Sequence, residues 1–252
     1  MAQKRTTDGR KGAGVVSSSK GSKKPFYTLI AVAAIAGIAT LSYMSSQAGK
    51  NRIIALDPNL PPVTSQGYVL GSPTAPIELI EFGDFECPSC ANFAQLTEPD
   101  IRAQYVNTGK VRFRFIDFPL GIHRNTLNAS NAAACADEQG KFWEMHDLIF
   151  ATQHEWNGQV STNPDKHMKE LGRRISGLDG GKLDECIDSR RMLPKIQSHL
   201  KLGVDRGANG TPTFVVGSNI INLPRNAFDE FQRYFDGLLA KGDTTKASAK
   251  KP

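Results

Sequence analysis

The residues best suited to chemistry in this 252-residue sequence are Cys87-Pro88-Ser89-Cys90. A thiolate is both a nucleophile and a metal ligand, so two cysteines at this spacing either exchange a disulfide, brace a loop or hold a metal. On a helix, residues three apart are neighbours with Cβ atoms about 5–6 Å apart, and a modest backbone adjustment brings them to disulfide geometry. Pro88 favours the first turn of a helix, where its missing N–H is no loss. Cys87 then sits at the helix entrance, facing unsatisfied amide N–H groups and the positive end of the dipole. Both favour the thiolate and mark Cys87 as the nucleophile, with Cys90, one turn deeper, as the buried resolving thiol. Stabilising that thiolate stabilises the reduced protein and makes the disulfide the better oxidant, at roughly 30 mV for each ~1.4 kcal/mol.

Two blander uses compete, an inert structural disulfide and half of a zinc site. Zinc usually takes four ligands from tight pairs, whereas Cys135 and Cys186 are 51 residues apart with no histidine at ligand spacing. His123, His146, His154, His167 and His199 form no metal-binding pattern and read as surface or capping residues. Among them His123, next to the Phe118-Pro119 turn, is the candidate to approach the cysteine pair. Redox chemistry is the preferred reading, with no metal and no cofactor expected.

Residues 77–82 form a short β-type run ahead of the cysteines, and the helical pattern after them continues to Gly109, a natural terminator. Residues 111–116 alternate apolar and basic side chains, the period of a half-buried strand. From about 124 to 206 the pattern is helical: 125–138, 142–151, 165–175, 182–191 and 194–206, separated by Gly or Pro. Two β runs, 213–216 and 219–223, flank the hairpin signal Gly217-Ser218, and 225–239 carries Phe228, Phe231, Phe235, Leu238 and Leu239 at helical spacing. The predicted order is β-α-β, a helical block, then β-β-α, with no internal repeat.

The net charge of +6 is accounted for by residues 1–24, where Lys4, Arg5, Arg10, Lys11, Lys20, Lys23 and Lys24 face Asp8 alone. The body, 25–240, is slightly acidic once the basic tail from Lys241 is set aside, which argues against a nucleic-acid-binding face. Residues 1–24 are too polar to fold and are expected to be a disordered cytoplasmic tail, as 241–252 is a second solvated one. Between Lys24 and Lys50 no charge occurs, and Phe26 to Met44 is a stretch of 19 residues of mostly apolar character, about 28 Å of helix. A single transmembrane anchor over 25–45 is expected, with the N-terminus cytoplasmic by the positive-inside bias. The alternative is a signal peptide cleaved near Ser46-Gln47-Ala48. Either way the folded part is exported to an oxidising compartment. The proline-containing stretch 46–75 reads as a linker.

The run Ala75 to Cys90 (APIELIEFGDFECPSC), the segment Gly210-Thr211-Pro212-Thr213-Phe214 and the helix start Gln139 to Glu144 resemble the DsbA-like thiol-disulfide oxidoreductases of the thioredoxin superfamily. The resemblance spans about Ala75 to Leu239. It implies an α/β thioredoxin fold, residues 76–240, with an inserted α-helical cap over about 119–211, preceded by the membrane helix. It further implies that Pro212 is a cis-proline facing the cysteines and that, with Thr211, it offers a backbone edge to an extended substrate. Glu81, six residues before Cys87, matches the family's buried acid, which relays the proton of Cys90. Ser89 stands where the best-known oxidant of the family has a histidine, so Pro88-Ser89 provides no positive charge and thiolate stabilisation is expected to be weaker. Cys135 and Cys186 are expected either to staple the cap as a second, structural disulfide or to remain buried thiols. The implied reaction is introduction of disulfides into exported polypeptides with free thiols, with reoxidation by a membrane quinone-linked thiol oxidase. The alternatives are a reductase or isomerase on the same fold and a non-catalytic peptide-binding module.

Overall fold

A computed structural model describes residues 24–50 and 67–242, so nearly all of the expected tails 1–24 and 241–252, and residues 51–66 of the expected linker, lie outside the described residues. Helix α1 (Lys24–Lys50) lies mainly in the first of two compact units, which ends at Ser46. Its stretch Phe26–Tyr43 is long and apolar enough to cross a membrane, and its large side chains are exposed. The helix extends beyond the expected 25–45.

The second unit is built on a five-stranded sheet: β1 (Tyr68–Leu70), β2 (Ile77–Gly83), β3 (Val111–Asp117), β4 (Thr213–Val216) and β5 (Asn219–Ile221), in the order β1-β3-β2-β4-β5. β2 and β3 are parallel and every other pairing is antiparallel. All seven residues of β2 are buried, as befits a central strand covered on both faces. Its period of two divides them. Ile77 and Leu79 join Phe93 of α2 (Pro88–Leu96) and Phe231 and Phe235 of α10 (Phe228–Ala240), whereas Ile80 and Phe82 join Leu200 of α9 (Leu193–Asp205). Odd numbering therefore puts Glu81 on the face covered by α2, the helix that carries Cys90. Gly83 closes the strand where a Cβ would lie 2.3 Å from the Phe115 ring, so no other residue fits without displacing it.

The basic alternation of β3 is explained by Glu78 on β2, which pairs with Arg112 at 2.8 Å and Arg114 at 2.6 Å. The hairpin between β4 and β5 turns at Gly217-Ser218, with Gly217 at φ 64°. The remaining helices, α4 (Thr126–Asp137), α5 (Phe142–Ala151), α6 (Gln153–Trp156), α7 (Asp165–Gly172) and α8 (Gly180–Ser189), complete the block between β3 and α9. Their core, including Met145, Ile149, Trp156, Met168 and Leu183, is one cluster with Phe85, Cys87 and Cys90. Cap and cysteine pair share an interior.

Three expectations are corrected. The stretch read as a linker contains β1, whose Tyr68 hydroxyl donates to Asp117. The helix read as continuous to Gly109 is α2, then α3 (Glu98–Ile101), then a π-helical turn over Arg102–Val106. The break falls at Thr97, two residues before Pro99, which has no N–H to continue the α2 ladder. His146 and His199 are fully buried rather than superficial. His199 joins Asp117 at 2.9 Å through Nδ1 and accepts the Gly67 N–H at Nε2, tying α9 to β1 and β3.

Cys135 of α4 and Cys186 of α8 are joined by a disulfide with a Cα–Cα distance of 5.7 Å. Its loop spans 51 residues, for which chain entropy gives about 4 kcal/mol. The double variant Cys135→Ala, Cys186→Ala is expected to lose stability of that order, measured as a lower urea midpoint with an unchanged active-site thiol count.

Candidate functional site

Cys87 is the N-cap of α2, with extended backbone and Pro88 as the first helical residue. Its own N–H donates to the Asp84 carbonyl at 3.0 Å, and its carbonyl accepts the Ala91 N–H at 3.1 Å and the Gln153 amide at 3.1 Å. Cys87 and Cys90 are both reduced, and both lie in the buried core cluster, Cys90 fully so at 0% exposure against 6% for Cys87. Pro88 and Ser89 are exposed.

This placement splits the two thiols. The Cys87 thiol is lowered to about 6, chiefly by the hydrogen bond from the Cys90 side chain. Burial opposes that shift, and the Thr211 side chain and the backbone N–H groups of Cys90 and Ser89 support it. Ser89 thus contributes through its backbone at the helix entrance. Burial pushes the Cys90 thiol well up, reinforced by its hydrogen bond to Cys87 and by the charges of Cys87 and Glu81. One sulfur is prepared as an anion and its partner as an acid.

Glu81 lies beneath the pair, 1% exposed, and no backbone N–H or charged side chain among the described residues donates a hydrogen bond to either carboxyl oxygen. Burial raises its pKa well above the usual carboxylate range, helped by Glu98 and Cys87, with Arg102 and the Cys90 thiol pulling the other way. From across the sheet, β4 pairs Thr213 with Phe82, which sets the preceding Thr211-Pro212 against the cysteine end of β2. That peptide bond is cis. The Thr211 carbonyl accepts from the Cys87 thiol at 3.4 Å, and its hydroxyl is buried. Cys87, Cys90, Glu81, Thr211 and Pro212 therefore converge, whereas Cys135 and Cys186 serve the cap.

Sequence reasoning missed the residues that hold the loop 84–87 in place. Asp84, fully buried, accepts from the backbone N–H groups of Glu86 (2.8 Å) and Leu120 (2.7 Å) and from the Thr126 hydroxyl (2.6 Å), and pairs with His123 Nδ1 (2.8 Å). Glu86 accepts the N–H groups of Asn125 and Gly158, and Gln153 donates to the Phe85 carbonyl at 2.8 Å. The available signal was the acids themselves, Asp84 and Glu86, which interrupt an apolar run three residues and one residue before the nucleophile.

Among the described residues one cluster has metal-ligand geometry, Glu98, His146 and Asp147. Arg102 occupies it, bonding Glu98 at 2.7 Å and Asp147 at 2.8 Å, so the carboxylates are already neutralised by a fixed cation. The donor set fits an ion-pair network better than a cation site.

A five-stranded sheet with a C-x-x-C helix entrance facing a cis-proline defines a thioredoxin fold of the DsbA-like class. A family model described as Thioredoxin matches residues 64–236, and the chain belongs to that family. The probable disulfide bond formation protein D of Bacillus anthracis is 25% identical over 173 residues, covering 68% of this chain and 78% of that one. A Na(+)/H(+) antiporter, NhaA 3 of Salinispora tropica, is 32% identical over 172 residues, which are 68% of this chain but only 24% of the antiporter. Among solved structures, oxidised BdbD from Bacillus subtilis superposes with a TM-score of 0.61 at 23% identity, covering 71% of this chain and 98% of that one. DsbA of Chlamydia trachomatis gives 0.60 at 22% identity, covering 73% and 97%.

The split between the thiols predicts how the reduced protein alkylates. Because the lowered group is deprotonated above its pKa, the iodoacetamide rate of the reduced chain is expected to rise through a midpoint near pH 6. It should be nearly level at neutrality, whereas an ordinary thiol titrates near about 8.5. Mass spectrometry is expected to place the label on Cys87.

Proposed function

We propose that this chain is a membrane-tethered, extracytoplasmic thiol-disulfide oxidoreductase acting as a dithiol oxidase on exported polypeptides. The observation that carries the reading is the opposition of the two sulfurs: Cys87 favours its anion and Cys90 favours its thiol. A dithiol held in that state is stabilised in its reduced form, so its disulfide is the more readily passed on. The Bacillus relatives named as disulfide bond formation proteins support the same chemistry.

In the reaction a substrate thiolate attacks the Cys87 sulfur of the Cys87–Cys90 disulfide. Cys90 leaves as a thiolate and takes a proton, for which Glu81, buried below it with a raised pKa, is the donor. A second substrate thiolate attacks the substrate sulfur of the mixed disulfide and releases Cys87 as a thiolate. Two electrons have then passed from the substrate to the pair, and the substrate carries the new disulfide. The edge at Thr211-Pro212 holds the substrate backbone in an extended conformation over Cys87. A membrane quinone-linked thiol oxidase accepts the two electrons and restores the disulfide. Helix α1 tethers the enzyme, with the basic N-terminus on the cytoplasmic side.

Cys90→Ala removes the resolving sulfur and is expected to accumulate mixed disulfides with envelope proteins through Cys87. These appear as slow bands on non-reducing gels that vanish with Cys87→Ser. Absence of any such adduct from the folded variant would overturn the mechanism. Equilibration with glutathione reports the direction: an oxidase yields its disulfide to millimolar glutathione, whereas a bridge that resists it identifies a reductant.

A further inference from the structure

The C-x-x-C motif brings Cys87 no cation, because Pro88 and Ser89 are both neutral. A basic side chain nevertheless reaches the region from the segment between β3 and α4. His123 lines a cleft together with Glu86, Pro88, Ile122, Arg124 and Gln153, on the flank of the helix entrance. Its Nδ1 is fixed 2.8 Å from Asp84 Oδ2, leaving Nε2 free to take up a proton, and its side chain is 15% exposed. The same Asp84 binds the Cys87 N–H through its backbone carbonyl, so one residue holds both the nucleophile and the imidazole.

The charges around this pair decide whether the imidazole is cationic. Burial opposes the imidazolium, but it is outweighed by the hydrogen bond and charge of Asp84 and by the charges of Cys87 and Glu86, so the His123 pKa is raised above its ordinary value. The Glu86 and Leu120 N–H groups and the Thr126 hydroxyl also point at the Asp84 carboxylate, so their dipoles offset part of its negative field. Glu86 is likewise engaged by the Asn125 and Gly158 N–H groups, Arg124 is exposed on the rim, and Cys90 and Glu81 lie on the interior side of Cys87.

We propose that His123, oriented by Asp84, is a positioning residue for the exchange reaction: its protonated imidazole supplies the positive charge that stabilises reduced Cys87. The oxidising strength of the pair then depends on the protonation of a residue outside the C-x-x-C motif. The proposal rests on the reading of Cys87 as the thiolate nucleophile. When two glutathione thiols reduce the Cys87–Cys90 disulfide, two electrons enter the pair and glutathione disulfide forms. One thiol proton ends on Cys90, and the other is taken by neutral His123 or released to solvent, leaving Cys87 as the thiolate. Linkage makes the coupling reciprocal: whatever the imidazolium does for the thiolate, the thiolate does for the imidazolium.

The test is a proton NMR titration of the full chain in detergent micelles, oxidised and reduced, with the His123 Cε1–H signal assigned by its loss in His123→Gln. The His123 midpoint is expected to lie about half to one pH unit higher in the reduced protein. In folded His123→Gln the glutathione equilibrium constant is expected to move about three- to tenfold toward a less oxidising disulfide, and His123→Lys, which keeps the charge, is expected to recover most of the change. A merely structural histidine would not titrate differently in the two redox states. Identical midpoints, with Cys87 still titrating near pH 6, would overturn this proposal alone. A Cys87 that titrates as an ordinary thiol would overturn the reading beneath it as well.

Discussion

The candidate site rests on a competition at one sulfur. Burial of Cys87 disfavours its charge, while the Cys90 thiol, the Thr211 side chain and the N–H groups at the start of α2 favour it. In an environment of low dielectric each of those contacts counts for more than it would in water, but only while all of them stay aimed. The rest of the domain can be understood as the means of aiming them. β2, buried along its full length, fixes where α2 begins, and β4 brings Thr211 across from the other side in a register set by four residue pairs.

That arrangement carries an electrostatic cost, because Glu81, Asp84 and Glu86 are all buried within six residues of the nucleophile. The three acids are handled differently. Asp84 and Glu86 are surrounded by donors, most of them from the cap, and so act as anchors. Glu81 has no such donors, and burial drives it toward its neutral form. A saturated carboxylate is structural, whereas an unsaturated one retains a labile proton. The contrast explains how acids so close in sequence come to have unlike properties.

What the sequence revealed follows this division between local and distant causes. The helix entrance at Cys87, the turn at Gly217-Ser218 and the helix Phe142–Ala151 were legible because capping, turn chemistry and periodicity are short-range. Glu81 and Pro212 were legible through family resemblance alone. The Asp84–His123 contact joins residues 39 apart and has no local signature, and His199 looks superficial until Asp117 arrives through folding, as His146 does until the distant rings of Phe85 and Phe115 bury it. β1 is only three residues long and follows a proline-containing stretch, so its pairing with β3 left no periodic trace. The break after α2 was misread because apolar spacing continued while Pro99 interrupted the hydrogen-bond ladder.

On the proposed reading, the sulfur link between α4 and α8 makes the polypeptide a candidate client of its own chemistry. A newly made copy carries four cysteines, and its structure joins two that lie far apart in sequence. On the proposed reading, mature copies in the same membrane are suited to deliver that bridge. Its biogenesis then takes on an autocatalytic character, with the first molecules maturing slowly and later ones completed by those already there.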